Sequence, residues 1–202
     1  MRPLMQAGLL TIVAGMADAV GYVAMGGVFA ANMTGNTVLA GMALGQGDVA
    51  LAAKRMAPLG TFFLGAMLAR LLLRLGRRQA VPLLLEAVVL AVVDFLPIGR
   101  EPALLLVALA MGLQASAITH FAGTAVSTVV VTSTLARIAE ATLDRAWPAR
   151  HPPPSVVMGP RLLALTWTGY LVGAVAGVLL IAVLPWPLIV PAALLLMVVA
   201  TL

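Results

Sequence analysis

The sequence contains no cysteine and very little charge. The first absence excludes disulfides and thiolate-ligated metal sites and leaves the redox compartment open. The second says more about the class of protein. Only 9% of the 202 residues are Asp, Glu, Lys or Arg, against 62% hydrophobic, and the mean hydropathy is +1.10. Soluble domains carry about 25% charged residues. A chain this apolar cannot hide its surface from water by folding, so lipid is its solvent. Catalytic signatures are missing as well. There is no HExxH, no GxSxG and no Walker-type phosphate loop, and a serine nucleophile would have only His120 or His151 as an imidazole base. The expectation is a protein that is not an enzyme and uses no cofactor and no metal.

The charge that is present carries topology. The net charge is +5, and all basic residues but Lys54 are Arg. They cluster at the ends of apolar runs, which marks them as membrane-orientation signals rather than a nucleic-acid surface. Eight apolar segments occur, at roughly 4–30, 33–46, 50–75, 80–98, 101–121, 124–143, 156–184 and 186–202. A spanning helix takes about 20 residues. The second segment is too short to cross. The sixth is interrupted by Thr132, Ser133 and Thr134 and carries Arg137 and Glu140. The first run lacks a small-residue cleavage site and reads as a retained span. One hydrophilic linker, 144–161, is stiffened by Pro152, Pro153 and Pro154. The chain therefore reads as a single membrane domain, 1–202.

Charge counting separates the topologies. If the second and sixth segments do not cross and the N-terminus is cytoplasmic, nine basic residues lie inside and Lys54, Arg55 and Arg100 lie outside. If all eight cross, the split is eight to four, because the RLLLRLGRR group (70–78) moves outside. The positive-inside rule prefers six spans with both termini cytoplasmic.

Internal matches point to duplication. MTGNTVLAGMALG (33–45) aligns with VTSTLARIAEATL (131–143), GMAD (15–18) with GLQA (112–115), and FFLGA (62–66) with YLVGA (170–174), all in the same order. Three spans plus one non-crossing segment per copy turn the second copy upside down. The expected fold is an all-α integral membrane protein of about six transmembrane helices plus two short or broken helices. It forms two inverted three-span repeats, about 4–98 and 101–202. Inverted repeats with broken helices are a recurring build of secondary transporters.

Particular residues then stand out. Polar residues before the short second segment suit a helix start, with Thr34 as N-cap and Gly35 leaving its backbone approachable. Such a start at membrane depth offers N–H groups to an anion or polar ligand; the alternative is a structural break with Asn32 and Thr34 satisfying the backbone. Asp18 lies midway along the first span, where a charge must face the bundle or water. It reads as a proton- or cation-coupling group, or as a buried hydrogen-bonded anchor. The candidate solute-binding set is Asp18, Asn32, Thr34, Gly35, Asn36, Gln114, Thr132 and Ser133. Glu86 is expected in an ion pair with Arg77 or Arg78, and Asp94 at the interface. Gln114, Ser116, Thr119 and His120 give the fifth segment polar character, and His120 reads as an interhelical hydrogen bonder. Gly169, Gly173 and Gly177, at every fourth position, read as helix packing. The methionines read as lipid-facing filler.

The stretch GMADAVGYVAMGGVFAANMTGNTVLAGMALGQGD, with FFLGA and MGLQA, resembles the YoaK-like family of bacterial membrane proteins, a domain-of-unknown-function group. The acidic residue of the first span and the TGN triplet carry the resemblance, which covers essentially the whole chain. It implies about six spans and no defined activity. This sequence departs from the family pattern in its second half, with Ser133 in place of Gly after Thr132 and Ala115 in place of Asn after Gln114. That departure puts a symmetric two-motif site in doubt. The functional expectation is a small secondary transporter or channel in a bacterial inner membrane, for a small polar or anionic solute and proton-coupled through Asp18. The alternative is a non-transporting scaffold or regulatory subunit. Expected partners are the bilayer and the solute, with no nucleic acid and with homo-oligomerisation left open.

Overall fold

The computed structural model describes residues 3–117, 120–121, 124–125, 139, 142 and 160–202. Among these are seven helices: α1 (Pro3–Ala24), α2 (Met33–Gly45), α3 (Val49–Arg74), α4 (Ala80–Val93), α5 (Arg100–Ala117), α6 (Pro160–Val183) and α7 (Ile189–Val199). A two-residue antiparallel pairing, His120–Phe121 with Thr124–Ala125, follows α5. The other regular elements among the described residues are all helical, as the apolar segments predict. Thr132, Ser133, Arg137, Glu140, Pro152, Pro153 and Pro154 lie outside the described residues.

Helices α1, α3 and α6 are long and apolar enough to cross a membrane; α4 and α7 are shorter apolar helices. Their environments differ. The apolar window of α1 is 67% buried, against 17% for α3 and 22% for α6. Helix α1 is thus the central post, and the other two turn most of their surface outward. Leu10, Val13, Ala14, Ala17 and Val20 of α1 anchor the hydrophobic core.

Contacts fix the directions of the helices. Gly8 meets Leu165, Ile12 meets Gly173 and Met16 meets Gly177, so α1 and α6 run parallel. Lys54 pairs with Glu101 near the starts of α3 and α5, and Gly65 meets Leu109 further along both, so these two also run parallel. Arg55 Nη1 donates to Gly27 O at 3.0 Å, placing the start of α3 beside the end of α1. The Leu188 N–H donates to Asp94 Oδ2 at 2.9 Å, joining the end of α4 to the start of α7. Gln6 Nε2 donates to Thr201 Oγ1 at 3.1 Å, so α1 begins where α7 ends. Helices α1, α4 and α6 therefore run one way and α3, α5 and α7 the other.

Glycine makes both parallel crossings possible. A Cβ at Gly15 would sit 2.9 Å from Ala174 N and fall on the Tyr170 carbonyl oxygen. A Cβ at Gly112 would sit 2.9 Å from Ala66 N and fall on the Phe62 carbonyl oxygen. Gly173 against Ile12 and Gly65 against Leu109 complete the two contacts in the same way. Small residues that let backbones touch are the usual glue of membrane helices, where the hydrophobic effect offers little. The glycines at 169, 173 and 177 all pack on α1, in keeping with their spacing.

Two expectations change. Glu86 makes no ion pair with Arg77 or Arg78: it is fully buried, about six residues into α4, with neither oxygen hydrogen-bonded. The helix turns its side chain into the bundle, out of reach of the end where the arginines lie. The methionines are not all lipid-facing either. Met16, Met25 and Met111 are buried in the core, whereas Met5, Met42, Met56, Met67 and Met197 are exposed. A flexible thioether fills gaps on both sides of a helix.

Candidate functional site

The segment between α1 and α2 turns back into the bundle. Gly26 and Gly27 have φ of 105° and 73°, values that L side chains resist and that reverse the chain within two residues. Residues 28–32 then run back along α1. Val28 O and Ala30 N come close to Gly21, and the N–H groups of Ala31 and Asn32 donate to Asp18 Oδ1 at 2.6 and 3.1 Å. Asp18 lies six residues before the end of α1, about 9 Å inward at about 1.5 Å per residue. Helix α2 starts at this depth and returns to the side from which the segment came, since α3 begins beside the end of α1.

Asn32 and Asn36 of the opening segment have defined tasks. The Asn32 side chain caps α2 by accepting from the Gly35 N–H at 2.9 Å. The expected cap, Thr34, is instead an exposed residue of the first turn. The helix begins two residues earlier than that cap requires, so position 32 faces the free donors. Gly35 is small because of Phe29: a Cβ there would come within 2.9 Å of the Phe29 ring. That ring stacks on Tyr22 with centroids 4.7 Å apart. Asn36, fully buried, grips the same residue twice, accepting from Phe29 N–H and donating to Phe29 O, both at 2.8 Å. Asn36, with Gly35 leaving room for the ring, thus holds an irregular backbone stretch whose groups could not face lipid unpaired. Some of the N-terminal donors of α2 are already used, with Gly35 N–H on Asn32 and Met33 N–H on Ala31 O at 3.0 Å.

Asp18 is 3% exposed and binds from both sides. Its Oδ1 takes the two backbone N–H groups, and its Oδ2 accepts from the hydroxyl of Tyr170 on α6. One carboxylate therefore ties α1, the re-entrant segment and α6 together. Tyr170 was not among the residues the sequence singled out, although a signal exists. In the alignment of FFLGA with YLVGA, Tyr170 adds a hydroxyl where Phe62 has none.

Asp18, Asn32, Gly35 and Asn36 come together at this point. Gln114 does not join them. It is buried, and its Nε2 donates to Leu10 O at 3.1 Å, eight residues along α1 from Asp18, or about 12 Å. Thr132 and Ser133 lie outside the described residues. Asp94 is half-buried at the end of α4, where it accepts from the Leu188 N–H. A cleft of about 360 Å³ opens there, lined among others by Val20, Ala24, Asp94, Arg100, Ile181 and Leu184. It approaches the turn of α1 just beyond Asp18. Among the described residues no cluster of His, Cys, Asp or Glu could hold a metal ion.

A helical membrane bundle with a half-length helix fastened to a buried carboxylate is the class these features define. The chain belongs to the family described as Protein of unknown function (DUF1275), which matches residues 6–201. It is similar to the UPF0700 transmembrane protein YoaK of Bacillus subtilis (strain 168), with 33% identity over 143 residues, 65% of this chain and 64% of that protein. The match therefore spans just under two thirds of that relative's length. No solved structure matches the chain.

Proposed function

We propose that this protein is a small secondary transporter or channel for a small polar or anionic solute. It is not an enzyme in this reading. It sits in the bacterial cytoplasmic membrane with six spans and both termini cytoplasmic, as two inverted repeats of about 4–98 and 101–202. The observation that carries the proposal is the likeness of the two glycine crossings. Gly15 stands to Tyr170 and Ala174 as Gly112 stands to Phe62 and Ala66. In sequence order, α1, α3 and α4 run up, down, up and α5, α6 and α7 run down, up, down. Inverted halves of this kind, with a broken helix at membrane depth, support alternating access by rocking of one half on the other.

Asp18 is the coupling group in this scheme. Its two oxygens accept three donors only while the carboxylate is free of a proton. A proton on Oδ1 competes with Ala31 and Asn32 and loosens segment 28–32, whereas a proton on Oδ2 reverses the bond to Tyr170, with Asp18 then donating. The solute approaches through the cleft at Asp94 and Arg100 and meets the start of α2. Thr132 and Ser133, the members of the candidate set from the second repeat, lie outside the described residues. The scaffold alternative has one observation in its favour: both carboxylate oxygens of Asp18 already accept hydrogen bonds from within the fold.

Proteoliposomes loaded with a pH-sensitive dye separate the two. They are challenged with small carboxylates, phosphate, other inorganic anions and amino acids. Transport predicts solute-driven proton movement with the wild type that Asp18→Asn abolishes. Wild-type vesicles that behave as empty vesicles across the panel favour the scaffold. Orientation is tested on the naturally cysteine-free chain, where Arg77→Cys should label from the cytoplasmic side and Arg100→Cys from the other.

A further inference from the structure

Glu86 has no role in the scheme above, yet it is the most completely enclosed acid among the described residues. Its exposure is 0%, and neither carboxyl oxygen has a hydrogen-bond partner. Leu83, Ala87 and Leu90, its neighbours on the same face of α4, belong to the hydrophobic core. Helix α4 packs on α5 and α7 and touches α3 lightly. Of these, α7 carries no titratable side chain, and α5 carries only Arg100 and Glu101 in its first turn. Helix α3 offers Lys54, Arg55, Arg70 and Arg74, and the turn before α4 has Arg77 and Arg78. None of them reaches Glu86. The ion pair among the described residues is Lys54 with Glu101, at the end of the bundle.

The fold itself does not ask for an acid at this position. VPLLLEAVV (81–89) in α4 aligns with VPAALLLMV (190–198) in α7, which sets Pro82 against Pro191 and Glu86 against Leu195. All four are buried, and Leu195 is as fully enclosed as Glu86. A leucine does the packing task in one half, so the carboxyl in the other half needs a separate reason. A bare carboxylate in such a slot has lost its water and gained nothing in return. A metal cation would need several oxygen ligands, and among the described residues no acidic or His cluster supplies them. A proton needs no further ligand, because it cancels the charge on the oxygen it binds.

We propose that Glu86 is a reversible proton-binding site in the bundle interior. Its carboxylate takes up one proton when α4 is closed on α5 and α7, and the resulting carboxylic acid releases it when water enters that interface. This goes beyond the Asp18 scheme and is measured without any solute, so its failure is separate from a failure of transport. The test is pH-difference infrared spectroscopy on the full chain in lipid bilayers. Expected is a neutral-carboxyl carbonyl band near neutral pH that falls as pH rises, with a matching gain of carboxylate. Both signals should vanish in Glu86→Gln and persist in Asp18→Asn. Glu86→Leu, which copies Leu195, gives the same subtraction if Glu86→Gln does not fold. A spectrum in which neither substitution removes a neutral-carboxyl band overturns the proposal, because Glu86 is then ionised. A Glu86 band that stays unchanged into strongly alkaline solution also overturns it, because the proton then never leaves.

Discussion

At one crossing Gly15 lies against the backbone of Tyr170 and Ala174; at the other Gly112 lies against that of Phe62 and Ala66. The backbones meet in the same way, and the side chains around them do not. Beside Gly15 stand Asp18 and the hydroxyl of Tyr170, hydrogen-bonded to each other. The matching positions of the other crossing, Ala115 and Phe62, can make no such bond. The close approach is therefore what holds two helices together, and it needs no polar group. The polar pair answers a different demand. Among the described residues, α1 has a re-entrant segment folded along it, whose Ala31 and Asn32 N–H groups require an acceptor away from water. Asp18 supplies that acceptor, and Tyr170 fixes the carboxylate's second oxygen.

The largest effects should come from breaking what the two crossings share. Gly15→Ala and Gly112→Ala each push a methyl group into a backbone carbonyl, which no rotamer change can relieve. The helices must separate, at a cost of about 3 kcal/mol or more. Thermal unfolding in detergent should show two comparable losses. A mild effect at one site and a severe one at the other would mean that the crossings are not equivalent.

Next in size are changes at the feature they do not share. Asp18→Ala strands two buried backbone N–H groups and the Tyr170 hydroxyl, each costing about 1 kcal/mol or more when left unpaired. A loss of about 2–3 kcal/mol is expected, together with faster amide exchange over residues 28–32. Asp18→Asn should retain most of the stability. Its carbonyl oxygen can keep the two N–H groups, and its amide can donate to a Tyr170 hydroxyl that reverses its role. If Asp18→Ala leaves exchange at 28–32 unchanged, the carboxylate does not fasten the segment.

How much of this was legible follows from the range of each interaction. The close approaches leave marks in the sequence because any side chain at Gly15, Gly65, Gly112 or Gly173 would collide with backbone. Hence the GMAD/GLQA and FFLGA/YLVGA matches land on the contacts themselves. The short helix at 33–45 was also legible, from its length and from the polar residues at its start. The cap was misplaced by two residues because Asn32 and Thr34 are equally able caps, and only the path of residues 28–32 decides between them. The partner of Asp18 lies 152 residues away on α6, and no local pattern announces it. Glu86 misled for a related reason. Its spacing from Arg77 and Arg78 says how far apart they lie along the chain, and not that α4 turns the carboxyl toward α5 and α7.

The smallest expected effect is the sharpest test of the comparison. Tyr170→Phe removes one oxygen and makes position 170 match Phe62 at the other crossing. The glycine contacts involve the backbone of residue 170 and stay as they are. The Asp18 Oδ1 atom keeps Ala31 and Asn32. What is lost is a single hydroxyl donor on Oδ2. Hydrogen bonds to charged groups contribute about 1.5–3 kcal/mol, and water reaching the vacated oxygen would recover part of that. A net loss of about 1 kcal/mol is expected in detergent unfolding, with amide exchange at 28–32 little changed. The converse substitution, Phe62→Tyr, should not stabilise its crossing, because Ala115 offers the new hydroxyl no carboxylate. A Tyr170→Phe protein as unstable as Gly15→Ala would mean that the hydroxyl, and not the backbone contact, holds α1 to α6, and the two crossings would then differ in kind.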